Sequence, residues 1–474
     1  MSAALLTNAA HAADVLLFEG YFKNGSDAEF GILLTRENPA DDESRQIGVA
    51  FTRFAASGEV TAPPLFVMPG GPGFSYRDVS AAQQQASPSL AVFQRLRQYQ
   101  DVVVMEQRGG QHSFPYLDCQ AFVPEGTAVR SPEDLEAATR ATSTACRRAW
   151  LDKGVDLKSY TVDKAAADVD AVRRALGYDK INVAGNSFGS HWTMAVLRYH
   201  GEHVNAALLS GLEGPDHTFD TPSEVRNALQ RVADVAASEP GLADVMPEQG
   251  LIAALEEVIV RLDSKPVAVD GMTLSGSDVR AMARGFPYAS NRLAVAEWPA
   301  MVIELHRGDY TRLAAFAAGR REFEPDSAMY YVMDCASGGT DARRERNAAD
   351  PAMELMGNIN AGYNAACAVW TDADMGETFR AGFTTSVPTV MYQGNWDVST
   401  PMENALSIRE IFEDHRLVIA DRATHAQVWH TLYRNEAFFD AIQNFFESGD
   451  FSEVPERIQV PVEPFALPSS TSWP

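Results

Sequence analysis

The stretch Ile181–Ser190, INVAGNSFGS, constrains the fold of this chain more than any other. It sets Gly185-Asn186-Ser187-Phe188-Gly189, a G-x-S-x-G, between a short apolar run and a helical pattern. A serine at such a corner stands on a turn tight enough to strain its backbone. Glycines on either side let strand and helix approach with no Cβ between them. The pattern alone is common, so its weight depends on whether an acid and a base follow at matching positions.

Around this corner the chain alternates between apolar runs and amphipathic helices. Val15–Phe18, Phe30–Leu34 and Ile47–Phe51 have the alternating, β-branched character of an antiparallel opening. Pro64–Met68 and Asp101–Met105 read as short buried strands, the first running into Pro69-Gly70-Gly71-Pro72-Gly73. Thr161 opens a helix that buries Val162, Ala165, Ala166, Val169, Val172 and Leu176 and closes at Gly177. Strand 181–184, helix 188–200 and strand 204–209 continue the series, which predicts a mostly parallel, doubly wound α/β sheet.

From about Asp216 the rhythm changes. Residues 223–238, 251–262, 277–283 and 293–305 carry helical periodicity with no strand between them, which predicts an inserted helical cap. The β/α rhythm returns with strand 388–392, a helix from Pro401, a last strand 416–420 and a helix 435–446. The expected organisation is a core in two parts, 15–215 and 386–450, a cap over 216–385, and a tail over 451–474 that crosses the surface.

A serine hydroxyl attacks a carbonyl only when a neighbouring base takes its proton. After strand 388–392 comes Gln393-Gly394-Asn395-Trp396-Asp397, a loop with one carboxylate. After strand 416–420 comes Asp421-Arg422-Ala423-Thr424-His425. Acid and base thus follow the serine in the order Ser, Asp, His, each at the C-terminal end of a strand, which is the α/β-hydrolase arrangement. Ser187 is the expected nucleophile, His425 the base and Asp397 the residue that orients it. The rivals are His430 for the base and Glu213 for the acid. The oxyanion hole would use the N–H of Phe188 and that of Gly71 in the glycine-rich loop.

Charge narrows the partners. A formal net charge of −25 argues against nucleic acid, which needs a basic surface. No run approaches the roughly 18 apolar residues of a membrane span. The cysteines, Cys119, Cys146, Cys335 and Cys367, form no C-x-x-C pair, and no metal or cofactor motif appears. Ala10-His11-Ala12 follows a short apolar segment in the manner of a secretory cleavage site, although no Lys or Arg precedes Lys23. Residues 1–14 are therefore read as the remnant of a secretion signal and the protein as exported, with a cytoplasmic location as the alternative.

With these residues assembled, the chain resembles the prolyl aminopeptidase and tripeptidyl aminopeptidase family of α/β-hydrolase serine exopeptidases, and within it the tripeptidyl aminopeptidase-like branch. The resemblance rests on PGGPG at Pro69–Gly73, QRG at Gln107–Gly109, ADVDAVRRALG at Ala167–Gly177 and GNSFGS at Gly185–Ser190. Trp298 with Gly308-Asp309, GNWDVSTP at Gly394–Pro401 and VPVEPF at Val460–Phe465 extend it over nearly the whole chain. Glu106 stands where relatives carry aspartate, Phe188 where a tyrosine is common, and the loops at Gly110–His112 and Arg422–Thr424 depart in detail. The resemblance implies a serine hydrolase that removes short pieces from the N-terminal end of peptides through an acyl-enzyme, with no cofactor. It also implies disulfides Cys119–Cys146 and Cys335–Cys367. A carboxylesterase using the same triad is the alternative, and a non-catalytic binding protein would be expected to have lost a triad member. An exopeptidase must hold a free ammonium, for which Glu213, Glu297, Glu304 and Asp334 are the cap-side candidates.

Overall fold

The computed structural model describes residues 4–6, 14–288, 292–425, 427–461 and 463–468. Most of the segment read as a signal remnant lies outside the described residues. Eleven strands form one sheet: β1 (Ala4–Leu6), β2 (Asp14–Tyr21), β3 (Asp27–Arg36), β4 (Gln46–Phe54), β5 (Leu65–Met68), β6 (Val102–Met105), β7 (Ile181–Ser187), β8 (Val204–Leu212), β11 (Thr389–Gly394), β12 (His415–Asp421) and β13 (Arg457–Gln459). A separate hairpin pairs β9 (Val267–Val269) with β10 (Met272–Leu274). The spatial order of the large sheet is β1-β2-β3-β4-β6-β5-β7-β8-β11-β12-β13. Neighbours are antiparallel from β1 through the β4–β6 pair and parallel from there on.

The central strands are apolar on both sides because both faces are covered. Successive residues of β5 go to opposite cores. Phe66 and Met68 join one with Val183, Leu209 and the helices Val162–Ala175 and Phe188–His200. Leu65 and Val67 join the other with Phe93, Leu208, Val418, Phe438 and Phe445. This two-residue alternation fixes the register, since a one-residue slip would exchange the two faces.

Two departures from the sequence expectation concern strands. The tail does not simply cross the surface: β13 adds to the sheet beside β12, with Ile458 buried and the Arg457 guanidinium 2.6 Å from the Asp421 carboxylate. The edge of β12 is thereby paired, which removes an open row of backbone donors and acceptors. The helical block also contains the β9–β10 hairpin, turned at Asp270 (φ 49) and Gly271 (φ 79). An Asp-Gly pair between alternating apolar residues is the sequence signal for a two-residue turn with both central φ angles positive.

Otherwise the block is helical, from Pro222–Ala237 to Gly376–Arg380, and it divides by packing. Helices Pro222–Ala237, Leu251–Ser264, Arg292–His306 and Thr311–Ala318 share their own core with Trp396 and Val398 of the loop after β11. By contrast Ala328, Met329, Val332 and Met333 of the helix Ala328–Ser337, and Ala366 of the helix Ala361–Cys367, belong to the core of the sheet. Disulfides join Cys119 to Cys146 and Cys335 to Cys367, the second tying those two helices together. No helix among the described residues is long and apolar enough to cross a membrane.

Candidate active site

Ser187 is the last residue of β7, and its backbone lies at φ 58, ψ −133, a region that residues with a side chain rarely occupy. The flanking glycines are required by space. A Cβ on Gly189 would collide with the Met68 carbonyl oxygen, and one on Gly185 with the Gly189 carbonyl oxygen. Phe188 begins the helix that follows, so its N–H has no acceptor within the helix.

The acid and the histidine come from two loops sewn to each other. Asn395 N–H donates to Ala420 O at 3.1 Å, Trp396 N–H to Ala423 O at 3.0 Å, and Arg422 N–H to Asn395 Oδ1 at 2.8 Å. Asp397, 1% exposed, accepts on Oδ1 from the Ser399 and Thr400 amides at 2.8 and 2.9 Å. Its Oδ2 lies 2.8 Å from His425 Nδ1 and accepts the Thr400 hydroxyl at 2.8 Å. Burial pulls the His425 imidazole down, but the Asp397 carboxylate outweighs it, leaving the ring above the ordinary histidine value. The remaining ring nitrogen, Nε2, is the one such an arrangement leaves for a nucleophile.

Ser187 and His425 meet around the end of β8. Ser187 pairs across the sheet with Leu212, and a Cβ on the adjacent Gly211 would lie 3.1 Å from His425 Cε1. On the other side of the serine, a Cβ on Gly70 would lie 2.9 Å from Ser187 Cβ. Gly71 has φ +112, and its N–H meets no acceptor among the described residues. Gln107 of the QRG stretch steadies this loop by accepting the Gly73 N–H at 2.6 Å. Glu106 is buried and accepts from Ser75 Oγ at 2.9 Å, so the residue that departs from the family pattern holds the same loop from below.

The rivals occupy other places. His430 lies on the helix Val428–Arg434 beside Arg434, Gln459 and Val460. Glu213 follows β8 directly, because that strand runs three residues beyond the expected Leu209. Its N–H donates to Ser190 Oγ at 2.9 Å, and the Ser190 hydroxyl donates to Ser187 O at 2.7 Å. The acid on His425 is Asp397, and the Glu213 carboxyl lies instead near Asp220, Asp334 and Arg343. Burial, with Asp220 nearby, pushes it up to about 8. Near it stands Asp334, 3% exposed, its Oδ1 without a hydrogen-bond partner among the described residues. Burial and the Glu213 carboxylate hold Asp334 well above the carboxylate range. Tyr330 and Tyr363, their hydroxyls 2.6 Å apart, lie beside Asp334. Of the other two amine candidates, Glu297 and Glu304 are both ion-paired to Arg312, at 2.8 and 3.1 Å. Thr400, Asp220 and Tyr363 carry no sequence signal of their own, although Thr400 lies inside the GNWDVSTP stretch.

Known proteins resemble the chain in two segments. A family model described as "alpha/beta hydrolase fold" matches residues 63–243, which include Ser187. A second, described as "TAP-like protein", matches residues 353–456, which include Asp397 and His425. The chain is a serine hydrolase of the α/β-hydrolase superfamily. Within that superfamily its segment 353–456 is similar to the tripeptidyl aminopeptidase-like branch. The tripeptidyl aminopeptidases of Streptomyces coelicolor and Streptomyces lividans are each 24% identical over 404 residues, 79% of this chain and 73% of theirs. The serine protease Hip1 of Mycobacterium tuberculosis is 27% identical over 175 residues, 35% of this chain and 32% of its own.

Proposed function

We propose that the protein is a serine aminopeptidase that cleaves short peptides from their N-terminal end, of the prolyl or tripeptidyl type. Ser187 attacks the scissile carbonyl while His425 takes its proton, and Asp397 holds the imidazole and balances the imidazolium. The amides of Gly71 and Phe188 receive the charge that develops on the carbonyl oxygen. The imidazolium then returns its proton to the leaving amine, and water releases the acyl group by the same route.

The observation that carries this reading is the Glu213–Asp334 pair. A buried Asp334 and a half-buried Glu213, with no hydrogen-bonded cation among the described residues, are costly if ionised, and a substrate ammonium offsets that cost by charge-assisted hydrogen bonds. Two disulfides suit an oxidising compartment and support an exported enzyme. The test is acetylation of the α-amine of a good peptide substrate. The expected result is a fall in kcat/KM of about tenfold or more, equivalent to roughly 1.4 kcal/mol of transition-state binding. Equal cleavage of free and blocked peptides, or activity on short esters alone, would move the assignment to a carboxylesterase.

A further inference from the structure

The loop that carries Gly71 closes on itself and is held from two sides. Phe74 N–H donates to Gly70 O at 3.2 Å, which shuts the turn. The curl is tight: a Cβ on Gly71 would lie 2.7 Å from Gly73 N and 2.9 Å from Phe74 N. In a turn packed this closely Gly73 and Gly71 shift together, so whatever fixes Gly73 also aims the Gly71 N–H. One side of Gly73 is fixed by the hydrogen bond that its N–H donates to Gln107 Oε1 at 2.6 Å.

The other side is fixed by packing. Met329 is fully buried in the helix Ala328–Ser337 and reaches the loop with its methyl group: a Cβ on Gly73 would lie 3.2 Å from Met329 Cε. The near end of the same side chain is seated on the QRG stretch, since a Cβ on Gly109 would lie 3.0 Å from Met329 Cβ and 3.0 Å from the Tyr160 ring. The backbone at this point is anchored too. Ala328 N–H donates to Leu117 O at 2.7 Å, and Leu117 N–H to Gly109 O at 3.1 Å. A methionine is ordinarily an adaptable filler, but this one spans a gap with backbone at both ends.

We propose that Met329 is a positioning residue for the oxyanion hole, its methyl group backing Gly73 and so holding the Gly71 N–H where the developing charge needs it. This rests on the reading of Gly71 and Phe188 as the oxyanion donors. Such a donor gains most of its strength as charge develops, so an error in its placement is felt in kcat and in transition-state analogues far more than in ground-state binding. The same helix carries Asp334, so one element of the sheet's core stands behind both the oxyanion loop and a residue proposed to meet the substrate ammonium.

The test compares the wild type with Met329→Ala, using a good chromogenic peptide amide, the matching peptide aldehyde and the matching peptide alcohol. Ser187 Oγ bonds to the aldehyde carbon, its proton passes to His425 and the aldehyde oxygen takes the charge in the hole, whereas the alcohol binds without reaction. The expected result is a fall in kcat of about tenfold or more with KM held within about twofold, and a fall of the same size in the ratio of alcohol to aldehyde inhibition constants. Met329→Leu, close in volume but branched short of the loop, should show the same split in smaller measure, and it decides the matter if the alanine variant does not fold. A rise in KM with kcat unchanged, or a fall in kcat that leaves the inhibitor ratio where it was, would overturn the proposal and make Met329 an ordinary core residue. A wild type that binds the aldehyde no more tightly than the alcohol would instead overturn the reading of Gly71 and Phe188 on which the proposal rests.

Discussion

Thr400 and His425 converge on one oxygen atom: Oδ2 of Asp397 stands 2.8 Å from both the Thr400 hydroxyl and His425 Nδ1. The carboxylate is thus fixed from the side as well as from below, where two backbone amides hold Oδ1. Asp397→Asn would replace that acceptor with an amide and favour the wrong imidazole tautomer. The expected loss in kcat is about 10⁴-fold with the fold intact. The wild-type acid limb of kcat should lie above the ordinary histidine midpoint of about 6.5, because the base works only when His425 has shed its proton. Removing the carboxylate should move that limb to lower pH. A pH profile of the residual activity decides it; an unchanged midpoint would mean Asp397 does not set the ring.

Ser187→Ala should abolish turnover. Nucleophile and base act as a unit, so the expected loss is on the order of 10⁶ in kcat. Circular dichroism and thermal unfolding should match the wild type, and labelling by a fluorophosphonate should disappear. A variant retaining a tenth of the activity would place the nucleophile elsewhere.

Glu213→Gln should trade binding for stability. The carboxyl's folded-state value, about 8, exceeds that of the unfolded chain, so the folded state holds its proton more tightly. Its contribution to stability is present below about pH 4 and lost as pH rises toward 8. The glutamine variant should therefore gain in melting temperature relative to wild type between pH 5 and 8, while KM for free-amine peptides rises. Differential scanning calorimetry at those two pH values tests the first half. A constant difference in melting temperature would show that the carboxyl does not titrate in that window.

Cys335→Ser together with Cys367→Ser should loosen the packing around Asp334. The bond closes a loop of sequence separation 32, which the chain-entropy model values at about 3 to 4 kcal/mol. It joins the residue after Asp334 to the helix that carries Tyr363. KM for free-amine peptides should rise more than kcat falls, alongside a lower melting temperature. A variant that lost stability but kept its KM would restrict the disulfide to a structural part.

The sequence was most legible where chemistry demands a residue type at a chain position. The serine corner, the single carboxylate after β11 and the histidine after β12 could be read because each sits at a strand end marked by its own apolar run. The long helices, such as Val162–Ala175 and Glu436–Ser448, were legible from periodicity and caps. Two features were not. β13 is a strand because β12 offers it an edge, not because Arg457–Gln459 prefers to be one. Glu213, Glu297, Glu304 and Asp334 are alike in sequence; only folding brings Arg312 to two of them and leaves the others facing each other. The Asp270-Gly271 turn, by contrast, was there to be read.

The division of the helical block between two cores has a consequence for how this enzyme could be altered. The helix bearing Asp334 is built into the foundation of the sheet and riveted there, and His191 bridges its Ser337 to Gly214 at 2.9 and 3.1 Å. The layer from Pro222 to Ala318 has a separate interior, which Trp396 and Val398 of the loop after β11 enter. The two parts of the block are therefore different masonry. The upper layer should be open to exchange or lengthening without moving the helix that carries Asp334.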